Sequence, residues 1–345
     1  MKILYIDYNS SRGHVQFNRI QLNALTQIAK VYTIFKEGYF DNIQCPKAFK
    51  YFDIPLSQYK NESGMIMSRL WEYRLLIYIK NKINPKEWDY IIFSAYDIVS
   101  MFFARFFSKA MVFEHSSIEA LDRPLKKIFF KGPNNKFTHI VFNESMKQKL
   151  SSSGIKKTVL VPHGFLPMEK DYESTNIMKE LCLCGKYIFL PSLSSVDKTE
   201  IELLINNPRL IQTLEHNNIK LVVKGDYISI SPNVVVYNGF FSENEYKDLF
   251  LNATFVFLPY SKSFKYRVSG VFFECIANNK YCVYRNIPAL NIYDEYIKYP
   301  HHSYESIDDL VQCIKYMSNV VEVNEKYSNV KCLENPLLAW REILK

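Results

Sequence analysis

The sequence predicts an α/β protein built from two similar halves, each with a parallel β-sheet. Short apolar segments alternate with segments in which apolar residues recur at helical spacing, starting at the first residues. The alternation stops at a polar stretch, residues 167–180, and then begins again. Strands that are separated by helices pair in parallel, with helices on both faces of the sheet. The 345 residues are enough for two domains of ordinary size.

In the first half, short apolar segments predict the strands. The first of them ends in a polar loop, residues 9–13, and apolar residues at helical spacing then predict a helix over residues 15–29. The predicted strands are residues 2–7, 31–35, 89–93, 110–113, 139–142 and 158–161.

The same pattern predicts strands in the second half, over residues 187–191, 219–223, 233–236, 254–258 and 281–284. Ser242 and Glu245 form a capping-box pattern, which predicts a helix start, and Ser306 with Asp309 does so in a similar way. Asn335 is a favoured cap residue for a last helix over residues 336–344. Two such halves leave a cleft between them. Ligands of open parallel sheets bind beyond the carboxyl ends of the strands, so candidate functional residues follow each strand.

The composition excludes several classes of protein. With 25 Phe, 25 Tyr and 48% hydrophobic residues, the chain carries too much apolar area to be disordered. The apolar stretch 99–104 is cut by Arg105 well short of the ~20 residues of a membrane-spanning helix. Asp7 interrupts the apolar start that a signal peptide needs. The seven cysteines are odd in number and scattered, which indicates reduced thiols and a cytoplasmic location.

Charge and cysteine spacing also bear on partners. The net charge of +8 is moderate and no nucleic-acid-binding motif occurs, so no nucleic-acid partner is expected. Cys182 and Cys184 lack a second ligand pair at zinc-site spacing, and we predict no metal site. Residues 123–136 carry basic residues and no acid, interleaved with aromatic ones, which fits either an anionic membrane surface or a core helix with solvated lysines.

The most informative segment is residues 267–277. Ser269 and Gly270 mark a helix start with small residues, where free N–H groups and the helix dipole make an anion site. Arg267 adds a forked donor that suits phosphate, and Glu274 lies one turn further on, placed to accept ribose hydroxyls. The alternative is an ordinary capped helix with one solvated glutamate.

These residues resemble the donor domain of the GT-B glycosyltransferases, in particular the retaining group called family four. The signature of that group is a pair of glutamates with seven residues between them, around a glycine-rich helix start. Glu274 matches the second glutamate, which in the family holds the nucleotide ribose, whereas Tyr266 stands where the first, a contact of the donor sugar, is found. The resemblance implies a GT-B fold with two Rossmann-like domains facing a central cleft.

Other segments of the second half support the resemblance. Gly225 ends a strand in a turn like that of the family, and Phe240 follows the glycine of the loop that reads the nucleotide base. Lys198 matches a lysine on the donor diphosphate. The arginine that accompanies it in the family is missing, and Arg267 is expected to replace its charge, beside Ser269 and Gly270.

The first half resembles the family in its strand-end residues. Arg12, Gly13 and His14 follow the first strand, where the family has a loop near the donor phosphate and the acceptor. His115 ends a strand where the family carries a histidine close to the donor sugar, and is our catalytic candidate. His163 lies in the turn that closes the first domain and is either structural or a contact at the cleft rim. The resemblance gives Gly13 to the donor diphosphate, and Arg12 and His14 to the acceptor.

The resemblance implies an acceptor-side domain over residues 1–166, a nucleotide-sugar donor domain over 167–332 and a segment, 333–345, that crosses back to the first domain. It implies transfer of a sugar from a nucleotide-diphosphate sugar to a hydroxyl of a glycan or lipid-linked saccharide, with retention of configuration. No Asp-x-Asp motif occurs, so neither a metal ion nor another cofactor is expected. The alternatives are a nucleotide-sugar epimerase of the same fold and a non-catalytic nucleotide-sugar-binding subunit, which the change at Tyr266 favours.

Overall fold

The computed structural model describes residues 1–39, 47–59, 65–105, 110–115, 117–131, 136–169, 171–191, 198–320, 324–328 and 335–345. The chain divides into two compact units. The first holds Met1–Gly164, Tyr266–Val268 and Lys331–Lys345, and the second holds Phe165–Lys265 and Ser269–Val330.

The first unit is built on a seven-stranded sheet in which all neighbouring strands run parallel. Its strands are β1 (Lys2–Ile6), β2 (Lys30–Lys36), β3 (Phe49–Ile54), β4 (Tyr90–Phe93), β5 (Ala110–Phe113), β6 (Thr138–Val141) and β7 (Thr158–Leu160). Between them lie α1 (Val15–Leu25), α2 (Met65–Lys82), α3 (Ile98–Ala104), α4 (Pro124–Lys131) and α5 (Glu144–Ser152). The strands lie in the order β3-β2-β1-β4-β5-β6-β7. Successive strands are added on one side of β1 up to β3 and on its other side from β4 onward, so a topological switch point lies between β1 and β4.

The second unit has a six-stranded parallel sheet in the order β10-β9-β8-β11-β12-β13. Its strands are β8 (Tyr187–Leu190), β9 (Lys220–Lys224), β10 (Val234–Tyr237), β11 (Phe255–Leu258), β12 (Cys282–Arg285) and β13 (Ser303–Tyr304). Its helices are α6 (Ile177–Glu180), α7 (Lys198–Ile205), α8 (Pro208–His216), α9 (Glu243–Asn252), α10 (Gly270–Ala277), α11 (Pro288–Asn291) and α12 (Ile307–Asn319). Here the switch point lies between β8 and β11.

These two parallel sheets confirm the predicted fold class. The predicted strands are present, within one or two residues at their ends, and the capping boxes at Ser242 and Ser306 open α9 and α12 as expected. Two strands were missed. β3 forms the edge of its sheet and its first residues are exposed, so it lacks the apolar pattern of the inner strands, and β13 has only two residues.

The last helix, α13 (Pro336–Ile343), belongs to the first unit. Asn335 caps it by accepting the N–H of Leu337 at 3.1 Å. Trp340 is fully buried in the hydrophobic core of the first unit, with Phe113 of β5 at a centroid distance of 6.0 Å. Its indole N–H donates to Gln21 of α1 at 2.9 Å.

Within the described ranges, no helix combines the length and the apolar character that crossing a lipid bilayer requires.

Candidate functional site

Helix α10 begins close to the carboxyl end of β11, near the switch point of the second sheet. Ser269 is its N-cap, and its Oγ accepts the N–H of Phe272 at 3.1 Å. Tyr260 lies 2.7 Å from the same oxygen through its buried hydroxyl. A side chain at Gly270 would meet no atom within 4 Å, so the helix start has open space in front of it. The first N–H groups of a helix have no partner inside it, so this end of α10 can take an anion.

Glu274 lies one turn along α10. Its Oε2 accepts the hydroxyl of Tyr246, from α9, at 2.6 Å. Burial raises the pKa of Glu274 to about 7, and the hydrogen bond from Tyr246 acts in the opposite direction. The carboxyl is therefore poised near neutral pH, and a ligand that donates hydrogen bonds to it favours its ionised form.

Lys198 begins α7, with its side chain 55% exposed. Its ammonium lies 3.1 Å from Asp226 Oδ2 and 3.9 Å from Glu202 Oε1. The hydrogen bond to Asp226 raises the pKa of Lys198, so the group is fully charged near neutral pH. Two carboxylates thus compete with any diphosphate for this cation. The preceding residues 192–197, which we expected to form a diphosphate-binding loop, lie outside the described residues.

Gly225 and Phe240 follow β9 and β10. Gly225 has a φ of +149°, and a Cβ built on it would lie 2.2 Å from the ring of Tyr227, so no other residue fits there without strain. Phe240 is 73% exposed, and the Lys224 ammonium lies 4.9 Å from its ring centroid. An exposed aromatic ring beside a cation at the carboxyl edge of a sheet can stack a planar group.

Residues Tyr266–Val268 belong to the first unit although their neighbours in sequence belong to the second. The Lys149 ammonium lies 5.2 Å from the ring centroid of Tyr266. Arg267 forms an ion pair with Glu119, its Nε and Nη2 at 2.8 and 2.7 Å from the same carboxylate oxygen. The cation that we expected to serve the donor diphosphate therefore holds a carboxylate of the first unit.

At the switch point of the first sheet lies a buried polar network. Asp7 directly follows β1 and is fully buried, accepting the N–H of Ser10 through Oδ1 and the amide of Asn18 through Oδ2, both at 2.8 Å. Asn18 Oδ1 accepts the hydroxyl of Tyr5 at 2.8 Å and that of Ser94, which follows β4. The network ties the carboxyl ends of the two central strands to α1.

Three histidines gather around Phe17 beside this network. His14 and His115 stack with ring centroids 4.8 Å apart and an interplanar angle of 21°. Phe17 lies 4.8 Å from His115 and 5.1 Å from His163, by ring centroids. The sequence-predicted residues His14, His115 and His163 are therefore brought together. For Gly13 the structure records no atom within 4 Å of an added Cβ, and of Arg12 only the backbone is described.

Sequence reasoning missed several buried polar residues of the first unit. From the sequence, Asp7 was considered only because it interrupts the apolar start. A carboxylate directly after a strand is itself a signal of a functional position, and this one was overlooked. Asn18 could have been noticed as an amide within the apolar face of α1. Glu72 of α2 lies beside Tyr8 and Asp97, and burial, followed by the charge of Asp97, raises its pKa to about 8.

The basic segment 123–136 forms α4 and its flanks, with residues 132–135 outside the described ranges. Ile128 is exposed, Phe130 is fully buried, and Phe129 packs on Phe102 with ring centroids 5.1 Å apart. The segment thus combines a core-facing side with an exposed side. Among the described residues, no group of three or more His, Cys, Asp or Glu side chains could hold a metal ion.

Comparison with known proteins identifies the fold. No protein-family model matches the chain. A segment of 135 residues is 30% identical to the MEMO1 family protein MHO1 of Saccharomyces cerevisiae and covers 39% of this chain, but it spans only 36% of that relative.

The solved structures match over the whole chain. A UDP-N-acetylglucosamine 2-epimerase from Rickettsia bellii has a TM-score of 0.63 at 14% identity, covering 100% of this chain and 95% of its own. An α,α-trehalose-phosphate synthase (UDP-forming) from Burkholderia xenovorans, in complex with glucose-6-phosphate, has a TM-score of 0.65 at 11% identity, covering 99% and 98%. A sucrose-phosphate synthase from Thermosynechococcus elongatus has a TM-score of 0.62 at 11% identity, covering 99% and 93%. The fold is GT-B.

Proposed function

We propose that the protein is a glycosyltransferase that moves a sugar from a nucleotide-diphosphate sugar to a hydroxyl of a glycan or lipid-linked saccharide in cell-surface polysaccharide synthesis. The observation that carries the proposal is the start of α10, where open space in front of Gly270 meets a capped helix end and Glu274 lies one turn further on. This arrangement suits a diphosphate at the helix end and a ribose at the carboxylate.

The donor diphosphate would be stabilised by the helix end and by cations, without a metal ion. As the glycosidic bond breaks, negative charge builds on the leaving phosphate, and preorganised N–H groups and cations stabilise that charge. Lys198 and Arg267 are the cations that we assign to this role, with Ser269 and Gly270 at the helix end. Each cation must exchange its present carboxylate, Asp226 or Glu119, for phosphate.

The base of the nucleotide would lie at the edge formed by Gly225 and Phe240. Phe240 offers an exposed ring face, and stacking of a planar base on such a face is favourable for every base. The neighbouring Lys224 adds positive charge for the donor.

The acceptor would be bound by the first unit, through the residues around His14, His115 and His163. For a lipid-linked acceptor we propose a peripheral contact of residues 123–136 with the anionic cytoplasmic face of a membrane, since α4 exposes Ile128 beside basic residues. Sedimentation with lipid vesicles tests this contact. One set of vesicles is phosphatidylcholine alone, and the other contains roughly 30% phosphatidylglycerol, an anionic lipid to which basic segments respond. Equal recovery with both vesicles contradicts it.

The test of nucleotide binding is Glu274→Gln. We measure the affinity for UDP, GDP and ADP by calorimetry, and expect the variant to weaken binding of the preferred nucleotide about 10–100-fold, as loss of a charge-assisted hydrogen bond of about 1.5–3 kcal/mol does. Glu243→Gln, which changes an exposed carboxylate of the same unit that pairs with Lys247, is the matched control and leaves the affinity unchanged. A Glu274→Gln variant with wild-type affinity contradicts the assignment of the ribose site.

The ionisation of Glu274 supplies a second readout. Because its pKa is about 7, the wild-type carboxyl ionises as the pH rises from 6 to 8, and wild-type affinity is expected to rise more steeply over this window than that of Glu274→Gln. The variant also controls for ionisation of the nucleotide itself, which affects both proteins alike.

A nucleotide-sugar epimerase is the second candidate, and the likeness to the Rickettsia bellii epimerase favours it. An epimerase converts UDP-N-acetylglucosamine without an acceptor, whereas a transferase moves the sugar to an acceptor. Product analysis by NMR distinguishes the two reactions. A non-catalytic subunit would bind nucleotide with the same dependence on Glu274 and turn over no donor.

A further inference from the structure

A strip of aromatic side chains lies on one face of the first sheet, toward the amino-terminal ends of its outer strands. Phe49 of β3 pairs with Tyr32 of β2, and Phe52 pairs with Ile34, so β3 advances three residues while β2 advances two. Side chains of a regular strand alternate between the faces, and this bulge instead brings Phe49 and Phe52 to the same side. Together with the rings in contact with them they form the aromatic strip, which consists of Tyr32, Phe49, Tyr51, Phe52, Tyr78 of α2 and Trp88, just before β4.

The rings of the aromatic strip contact one another in a continuous series. By ring centroids, Tyr32 lies 5.5 Å from Phe49 and 5.2 Å from Trp88. Tyr51 lies 5.1 Å from Trp88 and 5.6 Å from Phe52. Phe49 is 50% exposed and Tyr51 is 37% exposed, so the strip presents apolar ring surface to solvent.

A lysine lies over each end of the strip. The Lys30 ammonium is 5.1 Å from the ring centroid of Phe49, and the Lys82 ammonium is 5.3 Å from that of Phe52 and 4.5 Å from that of Tyr78. Within the part of the chain that the structure describes, neither ammonium is paired with a carboxylate. A cation over an exposed ring is held only weakly, so both charges can also meet an anionic group of a ligand.

The strip also carries polar groups that have no protein partner among the described residues. Trp88 is only 5% exposed, and its indole N–H makes no hydrogen bond there. The hydroxyls of Tyr32, Tyr51 and Tyr78 make none either within the described ranges. A phenol hydroxyl both donates and accepts, and a buried donor is normally paired. Ring faces interspersed with such groups match a ligand whose apolar faces are interspersed with hydroxyls, which is the chemistry of a sugar chain.

We propose that the aromatic strip binds a saccharide chain that carries anionic groups. The C–H faces of the sugar rings pack on Phe49 and Tyr51, and carboxylates or phosphates of the chain meet Lys30 and Lys82. The strip lies toward the amino ends of the strands, whereas the candidate residues of the first unit follow the carboxyl ends. It goes beyond the proposed function as a second place for a glycan, and its binding needs neither a donor nor transfer.

Single-stranded nucleic acid is the other class of ligand that exposed rings and lysines attract, because bases stack on aromatic rings. Trp88 meets Tyr32 and Tyr51 edge to face, at interplanar angles of 68° and 87°, so these neighbouring rings do not offer parallel planes to successive bases. Stacking also leaves the tyrosine hydroxyls without a role. The observations therefore favour the glycan, and nucleic acid is one outcome of the test.

The test is calorimetric titration of the full chain at low salt, without a sugar donor. The probes are octasaccharides of hyaluronan and of polygalacturonate as acidic chains, maltooctaose as a neutral chain, and an oligouridylate of matched length. We expect the acidic chains to bind about 2–30-fold more tightly than maltooctaose, the effect of two exposed ion pairs. They are also expected to bind more tightly than the oligouridylate.

Three variants separate the contributions. Phe49→Ala is expected to weaken binding of acidic and neutral chains alike, by about 2–10-fold, through loss of a ring contact. Lys30→Gln weakens binding of the acidic chains alone. Tyr51→Phe keeps the ring and the fold and weakens binding by about 2–10-fold, through loss of a hydrogen bond. Phe103→Ala, an exposed ring of α3, and Lys147→Gln, an exposed lysine of α5, are the controls in the same unit and leave the affinity unchanged.

The proposal is overturned if no saccharide binds, if the acidic and neutral chains bind equally, or if Phe49→Ala and Tyr51→Phe both keep wild-type affinity. Tighter binding of the oligouridylate that Phe49→Ala weakens overturns it as well, and assigns the strip to nucleic acid. Phe49→Ala is expected to bind nucleoside diphosphate as the wild type does. The outcome at the strip and the outcome of Glu274→Gln are therefore independent, and either proposal can fail without the other.

Discussion

Trp340 joins the last helix to the core of the first unit, and its replacement tests how that helix is held. Its indole donates to Gln21 Oε1, and Gln21 in turn donates to the main-chain oxygens of Pro162 and His163 at 3.2 and 3.1 Å. Loss of the indole therefore affects both the core around Phe113 and the turn that carries His163.

The magnitudes follow from this geometry. Trp340→Ala removes a large and fully buried side chain, which costs about 3–5 kcal/mol. Trp340→Phe keeps most of the ring but leaves the buried oxygen of Gln21 without its donor, which costs about 1–3 kcal/mol. The first unit falls in the range of roughly 150–250 residues for which each kcal/mol lowers Tm by roughly 2–4 °C, so we expect its Tm to decrease by about 6–20 °C in the alanine variant.

The assay is thermal and urea unfolding, followed by far-ultraviolet circular dichroism. Leu338→Ala, on the same helix with its side chain 52% exposed, is the control and should change the free energy of unfolding by less than about 0.5 kcal/mol. A double-mutant cycle with Gln21→Met isolates the hydrogen bond. If Trp340→Ala is no more destabilising than Leu338→Ala, the helix is not anchored as described and the reasoning is refuted.

Three other predictions concern the metal, one glycine and one buried carboxyl. Donor turnover is expected to survive excess EDTA, since Lys198 and the start of α10 supply the positive charge; loss that manganese or magnesium restores would contradict this. Gly225→Ala is expected to destabilise by about 1–3 kcal/mol because its φ is positive and Tyr227 occupies the Cβ position, whereas Gly185→Ala, with open space, is the control in the same melting experiment. Glu72 keeps its proton in the folded state up to a pH of about 8 but loses it in the unfolded chain above about 4.5, so wild-type stability falls by up to about 1.4 kcal/mol per pH unit from pH 5 to 8. Glu72→Gln lacks this fall, and identical pH dependence of the two melting curves would disprove the assigned cause.

The fold could be predicted from the sequence because parallel strands covered on both faces leave a strong signal. Segments such as Ile3–Ile6 are apolar at every position, and the caps at Ser242 and Ser306 are local interactions between residues three positions apart. β3 does not show this apolar pattern. It is an edge strand that meets solvent on one side, so its sequence can contain both polar and apolar residues.

The candidate site was only partly predictable. Ser269, Gly270 and Glu274 lie within six residues of one another, so their grouping on one helix follows from sequence spacing alone. The pairing of Arg267 with Glu119 joins residues 148 positions apart, and that of Asp7 with His14 depends on how a loop folds back after β1. Neither pairing leaves a local pattern in the sequence. Both pairings change which charged groups can meet a ligand, because each of these groups already faces a partner of opposite charge or a hydrogen-bonding group.

The hydrogen bond from Trp340 to Gln21 spans 319 positions of the chain, which gives the order of synthesis a physical consequence. At ~5–20 residues per second, a ribosome makes Gln21 about 15–60 s before it makes Trp340. Until Trp340 is made, the part of the first-unit core that it covers beside Phe113 stays open, whereas the residues of the second unit, which end at Val330, have by then been made. Translation that stops after Val330 but before Trp340 therefore yields a chain that has the strands of both sheets but leaves this apolar part of the first core open to chaperones and proteases.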